Sequence, residues 1–178
     1  MALPTGKTLY ERLLGEDFKG LPLSLQQFHS RQQGGMAEGS LTVRHSQAFL
    51  YRTLRPFLRL PPPGEDIPVQ LCVIVRRETE VWVRKIGSYR LETVQWQERD
   101  ILVEKVGLFQ LTYRLSVEKE RMEFHFQELR IGPLQLPPVL RVEAAIEGDA
   151  SQWRPHVRVL SPLFGLLFSY EGKMTHSP

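Results

Sequence analysis

Apolar and polar residues alternate at every step of the stretch Phe109-Gln-Leu-Thr-Tyr-Arg-Leu-Ser-Val117. The alternation returns in the stretch Met122-Glu-Phe-His-Phe126. A period of two residues is typical of a β-strand that buries one face. The polar residues 118–121 between the two stretches predict a hairpin turn. We therefore expect the two strands to pair and to direct their aromatic side chains into one core.

Similar alternations extend over residues 67–174, where turn formers or charged residues separate short apolar runs. The separating residues are 77–80, 87–88, 98–100, 107, 132–133 and 148–149. Short strands joined by tight turns predict an antiparallel β-meander. We predict a mainly β or α+β fold, in which a strongly curved antiparallel sheet or barrel packs against two or three N-terminal helices, as in lipocalin-like or START-like carriers.

Helical signals are concentrated in the N-terminal part, residues 8–60. Thr8 and Glu11 have the spacing of a capping box, and apolar residues follow at helical intervals. Gly15 is suited to end this first helix, and Pro22 is suited to the start of a second one. We expect both helices to pack on the sheet.

A first strand and a third helix are predicted next. Residues 36–44 have the pattern of a strand, and Ser46 is a candidate N-cap for a helix over residues 46–59. Pro56 lacks an amide hydrogen, so this helix should kink or restart near Arg55. The chain as a whole, residues 1–178, is predicted to form a single domain.

Composition excludes several functional classes. The 178 residues include 42% hydrophobic and 24% charged side chains, which is typical of an ordinary globular domain. The net charge of +3 is too small to indicate a nucleic-acid partner. No apolar run is long enough to span a bilayer, so a transmembrane protein is not expected. The single cysteine, Cys72, cannot form an internal disulfide, and we expect a reducing compartment, the cytoplasm.

One segment is locally cationic. Residues 44–59 contain four arginines and one histidine and no acidic residue. The simplest explanation is the solvated face of a helix. The alternative is a phosphate or anionic-lipid contact, which would allow transient contact with a membrane.

The sequence carries no recognised catalytic, metal or cofactor motif. Its five histidines are far apart, and none is spaced from another histidine or from Cys72 as metal ligands are. It contains no Gly-rich phosphate loop, nucleophile elbow or serine–histidine–aspartate signature. We predict no cofactor, and catalysis has no positive support.

Polar residues inside apolar strands are the candidate ligand contacts. Trp82 and Arg84 share one strand face, so the guanidinium can bind a carboxylate or phosphate while aromatic rings surround an apolar tail. Alternatively, Arg84 points to water or pairs with Glu104 as a structural bridge. His125 alternates with the buried Phe124 and Phe126, which places its imidazole on the opposite face. The predicted ligand-binding residues are Trp82, Arg84, Glu104, Tyr113, His125 and Tyr170.

Several segments resemble, in the same order, landmarks of the bacterial DUF4166 family: Tyr10-Glu-Arg-Leu-Leu-Gly-Glu-Asp-Phe18, Trp82-Val-Arg84, Leu102-Val-Glu104, Gly132-Pro-Leu-Gln-Leu-Pro137 and Pro162-Leu-Phe-Gly-Leu-Leu-Phe-Ser-Tyr170-Glu-Gly172. The resemblance covers nearly the whole chain, although Pro56 departs from the regular third helix expected of the family. Members occur alone or joined to a dehydrogenase-like NAD(P)-binding domain. The resemblance therefore implies a possible dehydrogenase-like partner and no specific chemistry.

Three hypotheses follow. The first is a carrier that binds a hydrophobic or amphipathic small molecule in a β-cavity. The second is a non-catalytic interaction module, whose barrel is filled by Phe109, Tyr113, Phe124, Phe126 and Phe168 and which docks partners on the third helix. The third is an enzyme in which Glu104, His125 or Tyr170 is poised on one wall of the cavity for acid and base chemistry.

Overall fold

The computed structural model describes residues 6–46, 60–138 and 140–177. Within these ranges the N-terminal part contains helix α1 (Leu9–Leu14), a 3₁₀ helix (Gly15–Gly20) and helix α2 (Leu23–His29). The third helix predicted over residues 46–59, with its kink near Arg55, lies outside the described residues apart from Ser46, which is not helical.

Eleven strands follow in the described part of the chain. They are β1 (Gly34–His45), β2 (Gly64–Arg76), β3 (Thr79–Ile86), β4 (Tyr89–Glu98), β5 (Ile101–Val106), β6 (Phe109–Glu118), β7 (Arg121–Ile131), β8 (Leu134–Gln135), β9 (Arg141–Gly148), β10 (Gln152–Ser161) and β11 (Gly165–His176). The turns from β2 to β8 and the turn between β9 and β10 fall where the sequence breaks predict them, whereas the turn between β10 and β11, at residues 162–164, is not among the predicted breaks.

The sheet is a closed, up-and-down antiparallel barrel. Strands β1 to β7 pair in chain order, β7 pairs with β9, and β9, β10 and β11 continue the ring. Pairing of β11 with β1 completes it, so ten of the described strands form the barrel. The two-residue strand β8 only extends the edge of β7. The predicted mainly β fold with a curved antiparallel sheet and N-terminal helices is confirmed.

The hairpin of β6 and β7 has the predicted arrangement. Glu118 and Arg121 flank its turn, and Tyr113 lies opposite Phe126 while Leu115 lies opposite Phe124. The rings of Tyr113 and Phe124 meet edge to face, with centroids 5.8 Å apart. This contact is part of the buried core and not of the outer surface. The sequence pattern therefore identified both the pairing and the inward face of this hairpin.

The helices close one end of the barrel. The capping box of α1 forms, because Thr8 Oγ1 accepts from the Glu11 amide at 3.4 Å and Glu11 Oε2 accepts from the Thr8 amide at 2.6 Å. Gly15 ends α1 with a φ of 56°. Ser24 of α2 donates its amide to the Asp149 carbonyl in the turn between β9 and β10. We call this end the plug end and the opposite end the open end.

Helix side chains fill the barrel interior at the plug end. They pack with inward-facing residues of many strands into one core, in which α1 and α2 supply Leu9, Tyr10, Leu14, Leu25 and Phe28. Burial of this apolar surface, at about 25 cal/mol per Å², holds the helices on the barrel. The plug end is therefore solid.

Two glycines let β1 and β11 approach closely. A Cβ atom at Gly39 would lie 1.8 Å from the carbonyl oxygen of Lys173, and one at Gly172 would lie 2.0 Å from that of Ser40. Both distances are far below any allowed contact, so no other residue fits without moving the backbone. The strands that close the ring approach this closely only because these positions lack a side chain.

Candidate ligand-binding cavity

A cavity of about 200 Å³ occupies the barrel interior toward the open end. Its walls are mainly aliphatic and aromatic, and five polar residues interrupt them: Arg84, Thr93, Glu104, Tyr113 and Tyr170. The apolar part of the wall comes from Leu60, Leu91, Val106, Phe109, Leu111, Leu129, Leu140, Val142, Val157, Val159, Leu167 and Phe168. The aromatic residues proposed to fill the barrel therefore leave space within it.

A charged pair forms the polar floor of the cavity. Arg84 Nη2 lies 3.6 Å from Glu104 Oε1, and each side chain is 17% exposed. Arg84 Nη1 also donates to Thr93 Oγ1 at 3.0 Å. The guanidinium carbon lies 5.1 Å from the centre of the Trp82 ring, within the range of a cation–π contact. The floor thus carries one positive and one negative group.

Hydrogen bonds connect this floor to the helical plug. Gln95 Nε2 donates to Glu104 Oε1 at 3.2 Å, and the Tyr10 hydroxyl of α1 donates to Gln95 Oε1 at 2.9 Å. Tyr10 is buried, and burial raises the pKa of its phenol well above the ordinary value. The neutral phenol therefore remains a donor, and a chain of polar groups runs from Arg84 to α1.

Two tyrosines complete the polar part of the cavity. Burial raises the pKa of Tyr113, and the nearby charge of Glu104 raises it further. Burial also raises the pKa of Tyr170, against the opposing effect of Arg84. Both phenols stay protonated near neutral pH. Each hydroxyl can therefore donate a hydrogen bond as well as accept one.

A protein-family model matches most of this chain. The family model DUF4166, a domain of unknown function, matches residues 21–174. The chain belongs to the DUF4166 family. A search of curated proteins gives no match to this DUF4166 sequence.

One solved structure resembles the DUF4166 chain in fold. It is a secretary abundant heat soluble (SAHS) protein from Ramazzottius varieornatus, with 8% sequence identity and a TM-score of 0.44. The alignment covers 80% of the DUF4166 chain and 93% of the other.

Four of the six predicted ligand-binding residues come together in the DUF4166 barrel. Arg84, Glu104, Tyr113 and Tyr170 all line the cavity. Trp82 lies on the plug side of Arg84, where its Nε1 donates to Glu80 Oε2 at 3.0 Å. Its ring packs near the rings of three residues of the plug: Tyr10, Phe28 and His29. Trp82 therefore contacts Arg84 from the plug side and does not itself line the cavity.

His125 does not belong to this group. It lies on the outer surface of β7, where its Nε2 is 2.7 Å from Ser116 Oγ. The reason is the alternation of the strand, since Phe124 and Phe126 on either side pack against the core. Glu104 and Tyr170 thus face the interior while His125 faces outward. Of the three residues named in the enzyme hypothesis, Glu104 and Tyr170 line the cavity and His125 does not.

Three polar residues of the interior were missed by sequence reasoning. Thr93 and Gln95 lie on the inward face of β4, opposite Trp82 and Glu80 of β3. The sequence predicts a turn over residues 77–80, which include Glu80, yet only 5% of Glu80 is exposed. Burial raises the Glu80 pKa to about 7, against the lowering effects of the Trp82 hydrogen bond and Arg12. The sequence does contain a signal for Glu80. Glu80, Trp82 and Arg84 are each two residues apart, so all three side chains lie on one face of the strand.

The described residues show neither a metal site nor a membrane-spanning helix. In residues 6–46, 60–138 and 140–177, no three histidine, cysteine, aspartate or glutamate side chains are grouped as metal ligands. Over the same ranges, no helix has the length and apolar character needed to cross a membrane.

Proposed function

We propose that this DUF4166 barrel binds a small amphipathic molecule in its interior cavity. The observation that carries the proposal is an interior space with apolar walls and a single polar cluster at its inner end. Cavities of this composition are typical of small-molecule sites, where apolar walls provide affinity and a few polar groups fix orientation. The ligand's apolar part would contact the walls, and its polar end would contact Arg84 and Glu104.

The charges of the floor favour a neutral polar group on the ligand. Arg84 Nη2 and Glu104 Oε1 are 3.6 Å apart, which is too long for a direct hydrogen bond. A hydroxyl, primary amide or protonated carboxylic acid can accept from Arg84 and donate to Glu104 at the same time. A carboxylate or phosphate would instead meet the negative charge of Glu104. Arg84 alone would favour a carboxylate or phosphate head group. Because Glu104 lies beside it, we expect a neutral polar head group.

The size of the cavity limits the ligand. A volume of about 200 Å³ is below the range of roughly 300–1,000 Å³ found for sites of drug-sized ligands. Leu60, where the described chain resumes after residue 46, is part of the wall. A short-chain or medium-chain compound with one polar end fits these limits.

Binding can be tested with a matched set of compounds. Titrations of the full chain with alkyl alcohols, amides, carboxylates and phosphates of equal chain length would be followed by calorimetry or by amide chemical shifts. We expect the alcohols and amides to bind more tightly than the charged compounds. Failure of every compound to bind, together with native mass spectra free of retained lipid, would contradict the proposal.

Two tryptophan substitutions locate the site. Leu111→Trp adds volume inside the cavity, whereas Gln110→Trp adds it at the next position of β6, on the outer face. We expect Leu111→Trp to weaken binding by about tenfold or more, because it occupies the space of the ligand. Gln110→Trp should bind as the wild-type protein does. Equal binding by both variants would place the ligand elsewhere.

The cellular setting is part of the proposal. We place the protein in the bacterial cytoplasm as a single domain over residues 1–178, beside an NAD(P)-dependent dehydrogenase-like partner. The single cysteine suits a reducing compartment, and the family association suggests the partner. Co-purification from a cell extract with a dehydrogenase would support the association, and fractionation would test the location.

A further inference from the structure

The barrel wall is incompletely hydrogen bonded between β7 and β9. The two strands pair over five residues, and the last pair before the open end is His125 with Glu143. The next pair in this register would be Phe126 with Val142, and it does not form. Among the described residues, β7 beyond His125 and β9 before Glu143 share no backbone hydrogen bond. We call this interruption of the wall the side gap.

A β-bulge in β7 lies at the side gap. Tyr113 of β6 is opposite Phe126, whereas the preceding Thr112 is opposite Glu128, so Gln127 is the extra residue. A bulge bends its strand and interrupts regular pairing. The side chain of Gln127 turns back, and its Nε2 donates to the carbonyl two residues earlier at 2.9 Å. Beyond the bulge β7 pairs with the short strand β8 and no longer with β9.

Phe126 and Val142 stand between the cavity and the outside at the side gap. Val142 lines both the cavity and an outer groove of about 680 Å³. Phe126 lines the same groove, and its ring centre is 6.0 Å from that of Tyr113, which lines the cavity. Leu129 of β7 and Leu140, just before β9, also line the cavity. One layer of side chains therefore separates the outer groove from the cavity.

The outer groove offers polar partners at the side gap. His125, Glu143 and Arg158 line it. Arg158 Nη1 donates to Glu143 Oε2 at 2.9 Å, and His125 Nε2 lies 2.7 Å from Ser116 Oγ. These groups are accessible from water, so they can exchange hydrogen bonds with an arriving molecule. A polar head group in the groove therefore keeps hydrogen-bond partners as it leaves water.

The side gap leads to the polar floor of the cavity. Tyr113 lies directly opposite Phe126 of the gap, and Glu104 lies opposite Leu111, the next inward residue of β6. A head group that entered from the open end would first pass an apolar wall. The residues of that wall nearest the open-end turns are Leu91, Val106, Phe109 and Leu167. Moving a polar group past such a wall without partners costs free energy, and the side route avoids this cost.

We propose that the side gap is the entrance of the cavity, through which an amphipathic molecule passes from the outer groove with its polar end first. The inference rests on the proposed function, since it concerns the same cavity and the same class of ligand. Phe126 and Val142 form the gate. They can move apart without breaking backbone hydrogen bonds, whereas strands joined by a continuous ladder would lose bonds that are costly to leave unmade.

A thiol placed inside the cavity reports on the entrance. Leu111→Cys introduces it on the cavity wall, and Cys72→Ser removes the single native thiol. The probe is methyl methanethiosulfonate, and its rate of reaction with the introduced thiol is followed by mass spectrometry. This reaction requires access to the cavity and no binding of an amphipathic compound. A failure of the entrance proposal is therefore distinguishable from a failure of the proposed function.

Matched truncations compare the two routes. Phe126→Ala enlarges the side gap, and Phe109→Ala removes a ring of the same size from the cavity wall at the first residue of β6, next to an open-end turn. We expect Phe126→Ala to speed labelling by about tenfold or more, and Phe109→Ala to change it little. Acceleration by Phe109→Ala alone, by both variants equally or by neither would overturn the proposal. Urea unfolding would verify that both variants are folded.

A disulfide tests the same route without removing a core side chain. His125→Cys with Glu143→Cys links the last pair before the side gap, and residues directly opposite in an antiparallel ladder lie within disulfide distance. The matched control, Ser116→Cys with Glu123→Cys, links an opposite pair of β6 and β7. We expect the first disulfide to slow labelling at residue 111 by about tenfold or more and the control to leave it unchanged. Equal labelling rates in the two oxidised proteins would overturn the gate.

Discussion

Arg84 and Glu104 show how a pair of charges is tolerated inside an apolar barrel. Both are mostly removed from water, and each has a further polar neighbour, Thr93 for Arg84 and Gln95 for Glu104. Removing one member of such a pair leaves a charge without compensation, which costs more than the pair itself contributes. The pair is therefore a structural requirement as well as the proposed ligand contact.

The energetic coupling of the pair can be measured. We expect Arg84→Met alone and Glu104→Gln alone to lower the free energy of unfolding, the first by about 3 kcal/mol because it leaves Glu104 charged and buried. The double variant should be less destabilised than the sum of the two. Urea unfolding of the four proteins provides this cycle. Simple additivity would show that the two side chains do not interact across 3.6 Å.

Two buried ionisable residues at the plug end have opposite effects on stability. Burial raises the pKa of Glu80 to about 7, so its contribution is greatest at low pH and is lost as pH rises from about 4.5 to 7. Burial lowers the pKa of His29 to about 3, so its contribution is present above pH 6.5 and is lost as pH falls toward 3. Between pH 4.5 and 6.5 the free energy of unfolding therefore depends on pH through two effects, one from each residue, which have opposite signs and similar size.

Substituting Glu80 or His29 singly should reveal the pH dependence that the other residue gives to the stability. In Glu80→Gln the His29 effect is no longer opposed by Glu80, and acidification from pH 6.5 to 4.5 should cost about 3 kcal/mol of stability. In His29→Leu the Glu80 effect remains, and the same acidification should stabilise the protein by a similar amount. The wild-type protein should change little over this range. Chemical unfolding at several pH values checks all three, and parallel curves would show that neither group is shifted.

At the scale of elements, the contact of β1 with β11 depends on glycine. We expect Gly39→Ala to lower the free energy of unfolding by at least about 2 kcal/mol, since its methyl group would overlap the Lys173 carbonyl. Gly6→Ala is the matched control, because a Cβ there meets no atom within 4 Å. Thermal unfolding of both variants measures the difference. A Gly39→Ala protein as stable as the control would mean that the two strands can separate without cost.

The elements differ in how far their sequence determined them. The β6–β7 hairpin and the start of α1 were predictable, because alternation and capping act between residues close in sequence. The pairing of β1 with β11 was not, since no local pattern shows which distant strands meet. Of the site, Arg84 and Glu104 could be identified as polar residues within apolar strands. Their meeting with Tyr170 depends on closure of the ring.

At the scale of the whole molecule, the barrel has two distinct ends. The plug end is filled by helix side chains and has charged turns, while the open end has the cavity and exposed leucines such as Leu108 and Leu163 on its turns. A strand sequence cannot show which end is filled, because its inward residues look alike along their length. The two ends differ because α1 and α2 fill only one of them.

The seam between β1 and β11 also governs how the protein is made. The first strand must wait for β11, so a nascent chain on the ribosome carries unpaired edges on β1 and β10 until β11 has been synthesised. Unpaired edges recruit other chains, and contacts between distant segments form slowly. Synthesis of this protein therefore includes an interval in which a chaperone that holds unfolded chains would prevent aggregation. Chains truncated before β11 keep both edges unpaired and should aggregate.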